Sequence, residues 1–564
     1  MSLQGLVLAR TRIANGPSRA RLRQVSGRRS PEPAWPGYDR IGAHEAVGIA
    51  ALVLLAAVTL AWRWVGYQGH DEASYAAAAM DWVTNFPALG TTHWALRYPL
   101  VLPIAAVIAL FGPSVTALTV VNVAAFAGFL IVNYIGARHW LGRGTAMVLT
   151  VIGIVLPQFL IQATYANPDL LEMSLAMASF WALMFARERG GSVKLLVASG
   201  VLAGLGFLTR ETSVMMLVLY GMLFLFRPGM KRARYLWIAL GFSVVVGAQI
   251  GYCTARSGDP FYRSRISAGH DQVDRSAKAA EADAAHHALD GEGVLATAPL
   301  AAPFAAILIS QKYGMLFLLA VPAYVIVRRR RDLTRPQRAL IDWCGLGALV
   351  GFVFVAANFS ILYVVPRYFM VSAAFAAVPV ALWFRLWIGE GRVKGAVAAL
   401  AGLGFVTSSV GLLYLENVHP VLAEERIAAF VAASGLPVHV DPETARELHY
   451  LLVAGGLLSR VSTEAPHPGD LVATEEGVVQ DCLHHPGCTH HEAMQAFTPT
   501  RDWVEVARLA PEPRAIETVL QMIGAQSRLP SDLWKKLTRP GTTAVVYQIP
   551  ANRVPGAVEA ANRE

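Results

Sequence analysis

Residues 45–65, EAVGIAALVLLAAVTLAWRWV, form an apolar stretch that is followed almost at once by GHDEASYAAAAMDW at 69–82. The first stretch has the length and apolarity of a helix that spans a lipid bilayer. The second begins with the adjacent carboxylates Asp71 and Glu72, at the point where the chain is expected to leave the bilayer. We therefore predict that these acids act at the membrane surface.

Apolar runs recur along the chain up to about residue 415, and the composition agrees with that pattern. Hydrophobic residues occupy 55% of the 564 positions and charged residues 15%, with a mean hydropathy of +0.44. Soluble domains are usually about 45–50% apolar and about 25% charged. A soluble α/β enzyme is excluded, because too many segments reach the ~20 residues that a membrane-spanning helix needs. The sequence predicts an all-α polytopic membrane protein.

The net charge of +9 does not indicate a nucleic-acid partner, because the cations are distributed between the apolar runs. Insertion into a membrane produces that distribution, with Lys and Arg enriched on the cytoplasmic side. The segment 1–44 is rich in Arg, Ser, Gly and Pro and is predicted to be a disordered cytoplasmic arm. Its basic part is too long for a cleavable signal peptide.

Two short helices are predicted in the loop 66–113 after the first span. The first covers 72–83 and lies along the interface, because Tyr75, Ala78, Ala79 and Trp82 fall on one stripe at helical spacing. The second covers about 98–111, with Pro99 and Pro103 near its start. Because it is too short to cross the bilayer comfortably, it is predicted to be re-entrant or interfacial.

With the first span, the apolar runs predict about 11 transmembrane helices, so the two chain ends lie on opposite sides. The further spans are predicted at about 114–137, 144–163, 168–186, 194–209, 212–227, 235–253, 303–327, 340–362, 366–388 and 395–415. If the N-terminus is cytoplasmic, every inside connection carries basic residues, and the run Arg328 to Arg331 is the densest. Lys and Arg bias of this kind sets topology. The long loop 254–302 then lies outside.

This topology brings ionisable residues from distant parts of the sequence to the extracytoplasmic side. They are Asp71, Glu72, Asn167, Asp169, Arg210, Glu211 and Arg367. A single charge at a span end is often only an interface anchor, and Arg210 with Glu211 also fits a structural ion pair. The nearby Trp94 is interpreted as an aromatic residue of the interface. A cluster of charges that draws on several spans is instead typical of a functional site.

The composition changes after residue 415, and no later run is long enough to span a membrane. Residues 416–564 are predicted to form a small extracytoplasmic α/β domain with a frayed tail, including strands at VHVDP, DLVATEEG and TTAVVYQIP. Cys482 and Cys488 bracket LHHPG, which is compatible with a disulfide loop or with a metal site, and the predicted outside location favours the disulfide. Cys253 and Cys344 are interpreted as apolar packing residues, and His286 and His287 as solvent-facing.

The order of a first span, Asp-Glu, an aromatic helix and a basic-aromatic-proline element resembles the GT-C glycosyltransferases. Within that group, residues 45–415 are similar to the protein O-mannosyltransferases and the lipid A aminoarabinose transferase (glycosyltransferase family 39-like). The resemblance implies a multi-pass enzyme of the plasma (inner) membrane with a cytoplasmic N-terminus and an extracytoplasmic C-terminal domain. It implies transfer of a sugar from a polyprenyl-phosphate-linked donor to a lipid, polysaccharide or protein acceptor.

The resemblance also implies site residues. HDEASYAAAAMDW looks like the family's first outer loop, where an acidic residue acts as base or orients the acceptor, so Asp71 is the preferred catalytic residue and Glu72 the second choice. YANPDLLEM resembles the second acidic site, with Asp169 and Glu172. The donor phosphate contacts are expected from Arg97, which stands where the family commonly has Lys before Pro, from Arg210 in GFLTRETSV, and from Arg367 and Tyr368.

The chemistry of the residues supports these assignments separately. A carboxylate can accept the proton of an attacking hydroxyl, and arginines can hold a phosphate leaving group through paired N–H donors. No P-loop or dinucleotide glycine motif is present in the sequence, as expected for a donor that arrives through the membrane. No cofactor is certain. A divalent metal has candidate ligands in Asp71, Glu72 and His93, beside His70.

Two other classes of protein fit the spans. A transporter or flippase of a lipid-linked or anionic substrate usually shows internal repeats and broken helices near the midplane. Neither feature is evident in the sequence, and the charges lie at the outer span ends. A structural assembly protein would leave the polar cluster without a role. The sequence therefore favours an enzyme.

Overall fold

The computed structural model describes residues 41–67, 69–227, 229–270, 302–308, 312–358, 365–416, 422–484 and 491–551. The chain divides into two units, residues 1–48 and 49–564. In the first unit the structure describes residues 41–48, which include the start of helix α1. Residues 1–40 of the predicted disordered arm (1–44) and the pair His286-His287 lie outside the described residues, and α1 begins at Ala43, inside the predicted arm.

The N-terminal half is built from helices, several of which begin or end at a Gly, a Pro or a capping side chain. They are α1 (Ala43–Trp62), α2 (His70–Thr84), α3 (Tyr98–Phe111), α4 (Val115–Leu141), α5 (Arg143–Val155), α6 (Pro157–Ala163), α7 (Pro168–Glu188), α8 (Val193–Thr209), α9 (Val214–Phe226), α10 (Leu236–Ser257) and α11 (262–270). Helix α4 starts where the Ser114 side chain accepts a hydrogen bond from Ala117 N at 3.1 Å. Side-chain caps of this kind satisfy backbone N–H groups that the first turn leaves unpaired.

The second half continues with further apolar helices and then a group of shorter ones. They are α12 (Ala302–Leu308), α13 (Leu316–Arg328), α14 (Arg335–Asn358), α15 (Met370–Ile388), α16 (Arg392–Glu416), α17 (Leu422–Ser434), α18 (Pro442–Gly455), α19 (Val478–His484), α20 (His491–Gln495), α21 (Ala515–Met522) and α22 (Ser531–Thr538). Helix α15 is the centre of the helical domain, because it is buried from Met370 to Phe384 among α5, α7, α13, α14 and α16. An apolar helix buried on all sides belongs to the core of a bundle.

The described residues contain seven helices long and apolar enough to cross a membrane, or eight if one bent pair is a single span. Four shorter apolar helices accompany them: Tyr98–Phe111, Val193–Thr209, Glu211–Phe226 and Leu316–Arg328. The chain is therefore a multi-pass membrane protein, and most predicted boundaries agree with these helices within a few residues. The predicted total of about 11 spans requires three of the shorter helices to cross as well.

Two predicted spans are not single straight helices. The region predicted as 303–327 contains two helices, α12 (Ala302–Leu308) and α13 (Leu316–Arg328). The region predicted as 144–163 consists of α5 and α6, which are bent by 67° relative to each other. Pro157 occupies the first turn of α6 and follows the extended residue Leu156. The proline ring disfavours helical geometry in the residue before it, which accounts for the break. The Gln158 backbone N–H donates instead to the Lys312 carbonyl at 2.9 Å.

The C-terminal region contains a five-stranded mixed sheet in the order β2-β1-β3-β5-β4. The strands are β1 (Val438–Val440), β2 (Val461–Ser462), β3 (Leu471–Glu475), β4 (Val504–Leu509) and β5 (Ala544–Gln548). β1 is parallel to β2 and β3, whereas β5 is antiparallel to β3 and β4. The three predicted strands correspond to β1, β3 and β5, and the sheet has two further strands that the sequence pattern did not predict.

The C-terminal region packs on the helical domain at the end that carries α2. The Tyr450 hydroxyl, on α18, lies 2.9 Å from both the backbone N and the carbonyl O of Ser114. The Tyr67 hydroxyl donates to the Glu447 carbonyl at 2.7 Å. Tyr450 belongs to the same apolar cluster as Tyr75 and Ala79 of α2. The region that contains the sheet therefore lies on the face where the chain enters α2.

Candidate active site

The first turn of α2 places Asp71 next to an arginine from a distant part of the sequence. Asp71 Oδ2 accepts a hydrogen bond from Arg367 Nη2 at 2.8 Å. Its other oxygen, Oδ1, accepts from Trp94 Nε1 at 3.0 Å. The two donors fix the carboxylate at a partly exposed position, and Trp94 thus has a polar role that its interpretation as an interface aromatic would not require.

The predicted second acidic site joins the same network. Asp169 is 1% exposed and forms a salt bridge with Arg210, while its Oδ2 lies 3.3 Å from Arg367 Nε. It occupies the first turn of α7, whose cap is the Asn167 side chain accepting from Asp169 N at 2.8 Å. A buried carboxylate of this kind is stabilised only when its charge is paired. Asp169 therefore holds Arg210 and Arg367 in position.

The other two residues predicted to bind phosphate lie beside these groups. The Arg210 guanidinium stacks on the Tyr368 ring, 3.6 Å from the ring centroid. Arg97 is 8% exposed and donates to the Tyr75 hydroxyl. Arg97 forms no salt bridge with any residue in the part of the chain that the structure describes. A buried guanidinium without a carboxylate partner favours an anionic ligand.

A cavity of about 570 Å³ connects these side chains. Its charged lining residues are Asp71, Arg97, Arg210, Glu211 and Arg367, and its aromatic lining includes His93, Trp94 and Tyr368. The predicted residues Asp71, Arg97, Arg210, Arg367 and Tyr368 thus surround one space. Glu72 and Asp169 are not among its lining residues.

Glu72 and Glu172 do not line the cavity. Their carboxylates accept hydrogen bonds from a backbone N–H group and from side-chain hydroxyls. Glu72 is 2% exposed, and its Oε1 accepts from Ala166 N at 2.6 Å. Glu172 Oε1 accepts from Thr212 Oγ1 at 2.6 Å and from Ser213 Oγ at 2.9 Å. These bonds attach α2 and α7 to neighbouring segments, which is a structural role for both acids.

Glu211 does not pair with its sequence neighbour Arg210. It forms a salt bridge with Arg263 at 2.6 Å, and Arg263 also donates to the Leu96 carbonyl and to Gln249 Oε1, each at 3.0 Å. Sequence reasoning missed Arg263 and Gln249, because nothing in their local sequence distinguishes them from loop and span residues. Together they fix the backbone just before Arg97.

Nearby charges set the ionisation of Asp71 and His93. Burial alone would raise the pKa of Asp71, but Arg367 and Arg97 outweigh it, so the pKa of this carboxyl lies below its ordinary value. Burial, reinforced by Arg97 and His270, lowers the pKa of His93 to about 2. At neutral pH Asp71 is therefore ionised and the His93 imidazole is neutral.

The candidate metal ligands Asp71, Glu72 and His93 do not converge on a common point among the described residues. Both oxygens of Asp71 already accept hydrogen bonds, and Glu72 turns to the Ala166 backbone. The ring of His93 packs on that of His270, with the ring centroids 3.7 Å apart. The arrangement does not fit a metal ion.

Comparisons with known proteins agree with this architecture. Residues 98–250 match the family described as dolichyl-phosphate-mannose-protein mannosyltransferase. No curated protein sequence matches the chain. The crystal structure of ArnT from Cupriavidus metallidurans bound to undecaprenyl phosphate is similar, with a TM-score of 0.50 and 14% identity, over 77% of this chain and 94% of that one.

A second similar structure is that of the oligosaccharyltransferase from Archaeoglobus fulgidus in complex with Zn and sulfate. Its TM-score is 0.52, with 11% identity over 88% of each chain. At these identities the likeness establishes the fold. The two proteins are GT-C-fold enzymes, so the resemblance predicted from the sequence is confirmed: this chain is a polytopic membrane protein with the GT-C glycosyltransferase fold.

Proposed function

We propose that the chain is an integral-membrane glycosyltransferase that takes a sugar from a polyprenyl-phosphate-linked donor. The observation that carries this proposal is the cavity in which Asp71 lies with three arginines contributed by segments far apart in sequence. The matched family and the ArnT structure are associated by name with lipid phosphates. They favour transfer over transport, because the proteins that share the fold are transferases.

Arg97, Arg210 and Arg367 are proposed to bind the donor phosphate, with Tyr368 supporting Arg210. Phosphate binds well to guanidinium groups through paired, charge-assisted hydrogen bonds. Glu211 is the second acid in the cavity lining, but its salt bridge with Arg263 offsets its charge. The cavity therefore favours an anion, and Arg97 is the arginine most available to it.

Asp71 is proposed to act as the general base. The acceptor hydroxyl oxygen attacks the anomeric carbon, the bond from that carbon to the phosphate oxygen breaks, and the hydroxyl proton passes to Asp71. Polyprenyl phosphate leaves with the bonding electrons, and the arginines stabilise its growing negative charge. Asp169 keeps Arg210 and Arg367 aligned without touching the reacting atoms.

Donor binding is further proposed to activate Asp71. Arg367 pairs with Asp71 at 2.8 Å, which keeps the carboxylate a weak base. A phosphate that draws Arg367 away would remove this interaction and raise the proton affinity of Asp71. The base would then gain strength only when the leaving group is in place.

The chain is proposed to have about 11 spans, with the N-terminus in the cytoplasm and the cavity at the outer face of the plasma membrane. The sequence pattern supports this, because basic residues fill the predicted inside connections. The division into an arm at 1–44, a catalytic domain at 45–415 and an outer domain at 416–564 follows from it. The packing of α18 beside Ser114 and α2 supports an outer domain on the cavity side.

The test uses the purified full-length chain in sealed proteoliposomes with a panel of synthetic undecaprenyl-phosphate-linked labelled sugars. Native membranes supply the acceptor. At least one donor should be consumed, with equal amounts of undecaprenyl phosphate released and label transferred. Consumption of none of the donors, together with movement of an intact lipid-linked sugar between leaflets, would support the transporter instead.

A further inference from the structure

Three glutamates of the C-terminal domain meet at a point outside the cavity described above. They are Glu424 in α17, Glu447 in α18 and Glu475 at the end of β3. One carboxylate oxygen from each lies within 4.8 Å of the other two. Like charges at this separation repel strongly unless a proton or a cation lies among them.

Glu424 distinguishes this group from an ordinary acidic surface. Its side chain is 0% exposed, and neither Oε1 nor Oε2 has a hydrogen-bond partner among the described residues. An isolated buried carboxylate is costly, because it loses its hydration without gaining a compensating interaction. The buried group that points into the cluster therefore indicates a ligand for its oxygens.

Arg446 is a positively charged side chain beside the cluster, and it pairs mainly with a carboxylate outside it. Arg446 lies 3.6 Å from Glu447 Oε1, but it is closer to Glu443 Oε2, at 2.9 Å. The Tyr67 hydroxyl, from the segment before α2, donates to the Glu447 carbonyl rather than to a carboxylate. The Glu475 carboxyl group lies beside that of Glu424, so a proton shared between the two carboxylates is the alternative to a cation.

We propose that Glu424, Glu447 and Glu475 bind a hard divalent cation of the size of calcium. Calcium takes oxygen ligands at about 2.3–2.6 Å, so two ligands on opposite sides of the ion lie about 4.6–5.2 Å apart. The cluster is no wider than 4.8 Å, which fits that span. Three carboxylates provide up to about six oxygens, within the coordination range of this ion.

The position of the site gives the cation a structural role. It connects α17, α18 and the end of β3, which are otherwise held together by the apolar cluster around Ile427, Leu448 and Val440. Through Glu447 it also adjoins Tyr67, which precedes the helix that carries Asp71. Cation binding therefore stabilises the outer domain and its attachment at α2.

Calcium binding to the chelator-treated full-length chain in detergent provides the test. Isothermal titration with CaCl₂ should show one site that Glu424→Gln and Glu475→Gln each weaken by at least about tenfold. The matched control is Glu464→Gln, an exposed carboxylate in the same domain. Calcium should raise the melting temperature of the wild type and of the control, and less so that of the two cluster variants.

Two additional measurements distinguish calcium at the three glutamates from calcium in the cavity and from a shared proton. Asp71→Asn leaves the cluster intact and should bind calcium like the wild type, so loss of binding there would place the ion at the cavity instead. Calcium affinity should also fall as the pH is lowered, because protons displace the cation. The proposal is overturned if the wild type binds no calcium or if Glu424→Gln binds calcium with unchanged affinity. It is also overturned if calcium does not raise the melting temperature of the wild type and the glutamine variants melt at a higher temperature than the wild type.

Discussion

Arg97 differs from the other two arginines of the cavity in having no carboxylate partner among the described residues. Arg210 pairs with Asp169, and Arg367 lies between Asp71 and Asp169. The Arg97 guanidinium instead donates to the Tyr75 hydroxyl and is buried beside the cavity. Of the three arginines, Arg97 is therefore expected to contribute most to the binding of the donor phosphate.

Arg97→Ala is expected to weaken donor use with a smaller effect on the maximal rate. Hydrogen bonds to charged groups contribute about 1.5–3 kcal/mol, which corresponds to a rise in the donor KM of about 10- to 100-fold. Initial-rate kinetics at varied donor concentration measure it. The control is Arg256→Ala, an exposed arginine at the end of α10. Equal donor KM values in the two variants would reject the phosphate role.

Arg367→Ala is expected to move the acid limb of the kcat/KM profile toward higher pH. Arg367 is the strongest of the interactions that hold the pKa of Asp71 below its ordinary value, so its removal raises that pKa. The base must be ionised to act, hence activity is lost at a higher pH than in the wild type. The free energy of unfolding depends on pH in the same direction. The stabilisation that ionised Asp71 contributes is present at pH values above the ordinary carboxyl pKa, and it is lost as the pH falls through the lowered pKa of the folded protein. An unshifted acid limb in this variant would contradict the pairing.

Small residues determine how closely α8 and α10 approach. A Cβ added at Gly200 would overlap the Ile238 carbonyl, and one added at Gly241 would overlap the Val197 carbonyl. Glycine lets helices in membranes pack this closely. The crossing aligns the end of α8, next to Arg210, with Gln249 on α10.

Gly241→Ala is expected to destabilise the protein by about 1–3 kcal/mol, because the methyl group meets backbone that cannot move aside. Gly247→Ala, on the same helix, adds its methyl group in open space. This control should leave stability unchanged or slightly increased. Thermal unfolding in one detergent compares the two. If the variants have the same melting temperature, the helices are not in the close contact described.

Local sequence signals predicted the helices well and their bends less well. The bounds of α3 follow from the prolines and the glycine at its ends. The apolar face of α2 follows from the helical spacing of its apolar residues. The break between α5 and α6 also has a signal, Pro157, but an unbroken apolar run conceals it. The edge strand β4 was missed because its first three residues are exposed, so its pattern lacks a buried face.

The pairs of residues that meet in the site from distant parts of the chain could not be predicted from the sequence alone. Arg367 and Asp71 are separated by 296 positions, and only the fold makes them neighbours. The predicted topology brings both residues to the same side of the membrane, and their charge types predict their roles, although the sequence pattern goes no further than this. It did not distinguish Glu72, held by the Ala166 backbone, from Asp71, because adjacent carboxylates look alike until the helix fixes their directions.

The sidedness of the whole molecule is testable by labelling with a membrane-impermeant maleimide in right-side-out vesicles. Thr91→Cys, in the loop after α2, and Glu464→Cys, in the C-terminal domain, should be labelled without permeabilisation. Arg189→Cys, after α7, should require it, because the basic connections are predicted to be cytoplasmic. Each position is exposed in the structure. The opposite pattern would place the cavity on the cytoplasmic face.

The most direct test of the proposed mechanism is sugar transfer by Asp71→Asn, measured together with binding of undecaprenyl phosphate to the same preparation. Asparagine keeps the shape of the side chain and an acceptor for Trp94 Nε1, but it cannot take the proton. Transfer should fall by about 10²- to 10⁴-fold, while the variant remains folded and binds the lipid phosphate. Transfer at the wild-type rate would contradict the claim that Asp71 is the base of this enzyme.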